Sequence, residues 1–234
     1  MTMQDALVKG YAAQGSAVIA ADGTYTAIRS TRAGQLFTAD WKSELILAGL
    51  AYGVTVGGIS AGAAEALITG GGNGTVIDTN QPELQIGTPA GHYHVPLGFM
   101  FSGRADLDAD AETAEVLLFA DTTQQGARPI AASSTIKTPM NLLSGGESSV
   151  SYATSAVTTD ITNPVCSHIL SFRTFMLAAP AAGSVASDLT VDWEPGFPII
   201  LKGPCAVYAC WGGTAAVTAA CAYYWAEVPA ARFA

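Results

Sequence analysis

Apolar residues in this chain come in short runs broken by Gly, Pro, Asn or Asp, with little of the 3.6-residue period of an amphipathic helix. Short apolar or alternating runs bounded by turn residues are the pattern of β-strands. Residues 18–19 and 25–28 flank Asp22-Gly23, a dipeptide suited to a tight hairpin. Residues 44–50 and 52–56 read as strands broken at a glycine. Residues 74–78 and 83–86 read as short strands around Asn80-Gln81-Pro82, and 91–101 as strand on both sides of Pro96. Further strands are expected over 115–121, 151–158, 166–177, 189–193, 197–201, 206–211 and 214–228. Helix signals are weak: a short helix is expected over 3–13, and a turn or two over 108–117. Residues 122–146 are polar and read as a long excursion between strands.

The run 203–226 contains no charged residue. It is long enough to span a bilayer, which takes about 20 apolar residues. Pro204 and the central pair Gly212-Gly213 argue against a helix there, and five glycines argue against one over 45–64. Neither run has a Lys/Arg cluster beside it to orient it. Two strands buried on both faces are the better reading. Gly212-Gly213 then supplies the turn of a closing hairpin. With period two, Cys221, Tyr223, Trp225 and Glu227 share one face, and Ala222, Tyr224, Ala226 and Val228 the other. One face is expected inside the sandwich and the other against a neighbouring subunit. A strand over 214–228 would be about 50 Å long at ~3.3 Å per residue, so a bend or bulge is expected in it.

No internal repeat or low-complexity linker divides the 234 residues, and no signal peptide is visible at the N-terminus. Many short strands at regular spacing imply an all-β, single-domain β-sandwich, at this size of jelly-roll type. Its expected limits are 23–234, preceded by an N-terminal arm over 1–22 that contacts neighbours.

Charge narrows the functional classes. Ten Lys+Arg face nineteen Asp+Glu, with no basic cluster, so direct nucleic-acid binding is not expected. Charged residues make up only 12% of the chain, against roughly 25–35% for a solvated surface. A surface covered by other subunits accounts for the deficit, as does a large Ala-rich core.

Several residues could carry chemistry. Gly58-Ile59-Ser60-Ala61-Gly62 fits the G-x-S-x-G of a nucleophile elbow, which makes Ser60 a weak alternative catalytic residue. The helices that such a hydrolase needs are missing from the later sequence. Asp106, Asp108 and Asp110 are spaced like Ca²⁺-loop ligands, but Ala111 and Leu117 stand where that loop needs Gly and Glu. His92 and His94 lie two apart on one strand face, a spacing that chelates Zn²⁺ if a third ligand arrives across a three-fold axis. Cys166, Cys205, Cys210 and Cys221 form no CxxC pair and read as free buried thiols. Trp211, Tyr223, Tyr224 and Trp225 suit a sugar platform, a core or a subunit interface, and are taken as oligomer-interface candidates. No catalytic residue, metal site or cofactor is assigned.

The closing segment Ala219-Ala220-Cys221-Ala222-Tyr223-Tyr224-Trp225-Ala226-Glu227-Val228-Pro229 follows Gly203-Pro204 and the Trp211-Gly212-Gly213 turn. Together with Thr88-Pro89-Ala90-Gly91-His92-Tyr93-His94-Val95-Pro96-Leu97, it resembles virion structural proteins of tailed bacteriophages. The resemblance is one of style over most of the chain. It implies a non-enzymatic capsid, cement or decoration subunit in a virion assembled in the host cytoplasm. Its expected partners are copies of itself, as a trimer or larger, and other virion proteins, with no membrane. The alternatives are a carbohydrate-binding receptor or spike module and, further off, a serine hydrolase using Ser60.

Overall fold

The computed structural model describes residues 41–57, 68–70, 72–73, 76–106, 111–123, 138–139, 152–155, 164–177 and 186–232. The arm boundary at residue 22, the expected strands at 18–19 and 25–28 and the helix at 3–13 lie outside these residues. So does most of the 122–146 excursion.

In chain order the elements are α1 (Trp41–Leu47), β1 (Ala51–Val56), β2 (Ile68–Thr69), β3 (Gly72–Asn73), β4 (Leu84–Thr88), β5 (His92–Asp106) and β6 (Glu112–Asp121). They continue with β7 (Thr138–Pro139), β8 (Tyr152–Ser155), β9 (His168–Leu177), β10 (Ala186–Trp193), β11 (Leu201–Lys202), β12 (Cys205–Gly213) and β13 (Ala216–Pro229). The strands form two sheets, antiparallel apart from a two-residue parallel β3·β12 contact, that pack as an all-β sandwich. One sheet has the order β10-β5-β13-β1-β7, with β11 on β5 and β2 on β13. The other runs β8-β4-β12-β6-β9, with β3 on β12.

The main core lies between the sheets. Phe99, Phe101, Val217, Cys221, Tyr223 and Trp225 from the first sheet meet Leu84, Ile86, Val116, Leu118, Val207 and Trp211 from the second. These are alternate residues of each strand, as a period of two requires. Phe101 packs edge-on against Trp211 at 5.4 Å between ring centroids, tying the sheets together.

Four expectations change. Residues 41–47 are a helix where a strand was expected over 44–50. The helix ends in a Schellman motif: Leu50 N–H donates to Leu45 C=O (3.1 Å) and Gly49 N–H to Ile46 C=O (3.0 Å), with Gly49 at φ 71°. Leu45 and Leu50, the hydrophobic pair that accompanies this motif, both pack on Ala51, Val95, Leu97, Ala226 and Val228. Residues 112–117 are strand, so the helix expected over 108–117 does not extend there. Residues 76–78 and 197–200 are not strand. Finally, Gly212-Gly213 does not close a hairpin. The chain leaves β12 in one sheet and enters β13 in the other, so the turn hands it across the sandwich. A Cβ at Gly213 (φ 134°) would collide with the Thr113 carbonyl, which is why glycine stands at the crossing.

The closing strand behaves as period two demands. Cys221, Tyr223, Trp225 and Glu227 face inward. Its ladder with β5 slips between Tyr224 and Trp225, where Gly98 and then Pro96 are the partners and Leu97 is the extra residue of a bulge. Pro96 is tolerated because β10 pairs with β5 only from Phe99 and β11 only at Tyr93 and His94. Residues 95–98 therefore have a strand on one side alone.

Burial on both faces also holds, but the second cover comes from the same chain. Trp41, Leu45 and Ile46 of α1 lie over Ala226 and Val228, and Ile77 lies over Phe119, Tyr208 and Cys210. Neither contact needs a neighbouring subunit. Among the described residues, no helix is long and apolar enough to cross a membrane.

Candidate functional site

The aromatic residues singled out as interface candidates divide by strand parity. Trp211, Tyr223 and Trp225 are fully buried in the chain's own core. They cannot reach a neighbour in this fold, because odd positions of β12 and β13 face the opposite sheet. Tyr224, the even residue among them, is half-buried on the outer face.

Tyr223 and Trp225 belong to a buried polar network centred on His94, which sequence reading placed beside His92 as a chelating pair. The His94 ring is fully buried and stacks near-parallel on Trp225 (6.1 Å, 5°) and Tyr223 (5.8 Å, 15°). Its Nδ1 lies 3.0 Å from Thr88 Oγ1 and its Nε2 2.8 Å from Tyr223 Oη. Both nitrogens are therefore occupied by hydroxyls, which can donate or accept to suit a neutral ring. Burial holds its pKa down to about 3 and pushes the Tyr223 phenol well up. The one lone pair of the neutral ring accepts from a hydroxyl, so the buried ring is not free to bind a metal. Among the described residues, no group of three or more His, Cys, Asp or Glu could hold one.

Three buried carboxylates have structural partners. Glu227, the cross-strand neighbour of His94, accepts from the Trp225 indole N–H at 3.0 Å. Glu83 accepts from the Trp211 backbone N–H at 2.9 Å, just beyond the last β4 residue in the β12 ladder. Asp121 accepts from Thr123 N–H (2.8 Å), Thr123 Oγ1–H (2.6 Å) and Val165 N–H (3.1 Å), joining the end of β6 to the approach to β9. Buried acceptors held by fixed donors, three in the case of Asp121, anchor the strands that they join. Cys205, Cys210 and Cys221 are buried free thiols; Cys166 is also free but exposed. Burial raises the Cys205 pKa to about 12, helped by Asp121, so it is an inert thiol.

Ser60, Asp108 and Asp110 lie outside the described residues. Asp106 closes β5.

What the surface does offer is a groove of about 320 Å³ on the outer face, beside α1. Gly98 is among its lining residues, and a Cβ built there would approach the Tyr224 ring at 3.8 Å and the Glu194 stem at 3.9 Å. Tyr224, Trp193, Met100, Asp192 and Glu194 line it, and Lys42 reaches Glu194 at 2.7 Å. No sequence motif marks this groove, because its walls come from four separate elements and the 194–200 loop. Large apolar side chains are also exposed, among them Ile169, Phe172 and Met176 on β9, and Phe197 and Ile200 in that loop.

No protein-family model matches the chain, and no curated protein matches it.

Proposed function

We propose that the chain is a non-enzymatic structural subunit of a virus particle of the tailed-bacteriophage kind, a capsid, cement or decoration protein built on a jelly-roll sandwich. The observation that carries this reading is the nesting of the strand pairs. Among the described residues, eight strands have five residues or more: β1, β4, β5, β6, β9, β10, β12 and β13. The first pairs with the eighth, the second with the seventh, the third with the sixth and the fourth with the fifth. Nested antiparallel pairs divided over two sheets are the connectivity of a jelly roll, which viral capsid proteins, lectins and cupins share.

A fold hosts many functions, so the surface must choose among them. Exposed apolar residues on a chain with only 12% charge favour assembly. The mechanism is burial of those residues between symmetry-related copies and against other virion proteins. Light scattering on the purified protein, followed by mixing with particles, tests this. A trimer or larger species that binds particles supports it. A monomer at high concentration with no affinity for particles overturns it.

One observation favours a second reading, carbohydrate binding. In the outer groove the Tyr224 ring lies beside two carboxylates, a ring face for sugar C–H groups next to acceptors for hydroxyls. Glycan binding lost in Tyr224→Ala, with oligomeric mass unchanged, would move the conclusion there.

A further inference from the structure

Each sheet has two edges among the described residues, and three of the four are blunted. β7 is two residues long and includes Pro139, and β8 has four residues. β10 presents the exposed carboxylates Asp188 and Asp192. These are the usual devices against unwanted strand pairing. The fourth edge, β9, is the least protected, with a bulge at Leu170 and a single charged side chain, Arg173, on its inner face. It is ten residues long, lacks Pro and Lys, and pairs only with β6 among the described strands. Its outer face carries Ile169 at 63% exposure, Phe172 at 49% and Met176 at 88%. A long edge that shows Ile, Phe and Met and has a strand on one side only among the described residues is a pairing surface.

We infer that β9 pairs antiparallel with β9 of a second copy across a two-fold axis centred on Thr174, extending the β6–β9 sheet from one subunit into the next. The side chains choose both partner and register. Residues directly opposite must lie on the same sheet face, so the axis must pass through a residue and not between two. Centred on Thr174, the pairing sets Thr174 against Thr174. On the outer face it sets Phe172 against Met176 twice, covering the two residues that β6 leaves open. On the inner face it sets Arg173 against Phe175, a cation beside an aromatic ring. Centred on Arg173, the pairing would oppose two like charges. Centred on Phe172, it would set Met176 against His168. The Thr174 register is self-complementary, which a two-fold contact between identical chains requires.

This inference rests on the assembly reading only in taking a copy of the chain as the partner. It adds a two-fold contact that a larger shell would contain.

Cross-linking tests it. In a Cys166→Ser background, Thr174→Cys places two thiols opposite each other, at a Cα separation of roughly 4.5–5.5 Å that a disulfide spans. Phe172→Cys places its thiols about 13 Å apart along the strands, out of reach. The expected result is a disulfide dimer for Thr174→Cys on mild oxidation and at least tenfold less for Phe172→Cys. Light scattering should show the parent's oligomer halving in mass in Met176→Asp. Equal cross-linking of both cysteine variants, or no cross-linking of either with the parent monomeric, overturns the inference. A Thr174→Cys dimer that never enters a particle would uphold this contact and sink the virion reading. Particle binding without the Thr174→Cys cross-link would do the reverse.

Discussion

Burial of His94 makes a sharp prediction about acid. The ring is inaccessible, both nitrogens are held by hydroxyls, and its pKa is lowered from the usual 6.5 to about 3. A group whose folded pKa is depressed stabilises the fold fully above the unfolded pKa. That stability is lost as pH falls through 6.5 towards 3, because the unfolded chain takes up a proton the folded chain refuses. At 1.36 kcal/mol per pH unit, His94 should cost about 2 kcal/mol of stability between pH 7 and pH 5, and about 3 by pH 4. Buried carboxylates add their own acid dependence, so the wild-type slope alone does not isolate the ring. His94→Gln removes the titration while keeping polar atoms near Thr88 and Tyr223. Urea unfolding of both proteins at pH 7 and pH 5 should show the wild type losing about 2 kcal/mol more than the variant. One group opposes this: the Glu227 carboxylate, directly across the ladder, would favour a charged imidazole. Equal losses in the two proteins, or an NMR titration of the His94 ring near pH 6, would show that Glu227 compensates the burial and refute the reasoning.

Strand parity predicts opposite outcomes for adjacent residues. Trp225→Ala should cost about 3–5 kcal/mol by emptying the core, whereas Tyr224→Ala, on the half-exposed face, should cost clearly less; chemical denaturation measures both. Asp121→Ala leaves the Val165 and Thr123 N–H groups without their acceptor, and should cost about 2–3 kcal/mol and speed amide exchange at Val165, a change invisible if Asp121 is not the anchor.

Residues whose conformation depends on near neighbours could be read directly. Alternation put Tyr223 and Trp225 on one face and Tyr224 on the other, whereas the bulge expected within the closing strand lies in its partner β5, at Leu97. The sequence could not distinguish an aromatic facing the opposite sheet from one facing a neighbour, because both are apolar alternate positions. That assignment depended on which strands pair. Residues 44–50 show the same gap: their apolar residues suit a strand or a helix, and docking on Ala226 and Val228 with the Gly49 stop makes α1. The outer groove left no trace in the sequence, since its walls converge from distant segments.

The sequence by itself determined that the chain is built of strands, which faces of them are apolar, and that glycine must stand at the last turn. Those are short-range properties, written in residue type and period. Only the tertiary structure decided that Gly212-Gly213 crosses between sheets and does not close a hairpin, that His94 is sealed between Thr88 and Tyr223, and that β9 stands at a sheet edge among the described strands. Each depends on contacts between residues far apart in the chain, which local hydrophobicity permits in many combinations and packing resolves into one.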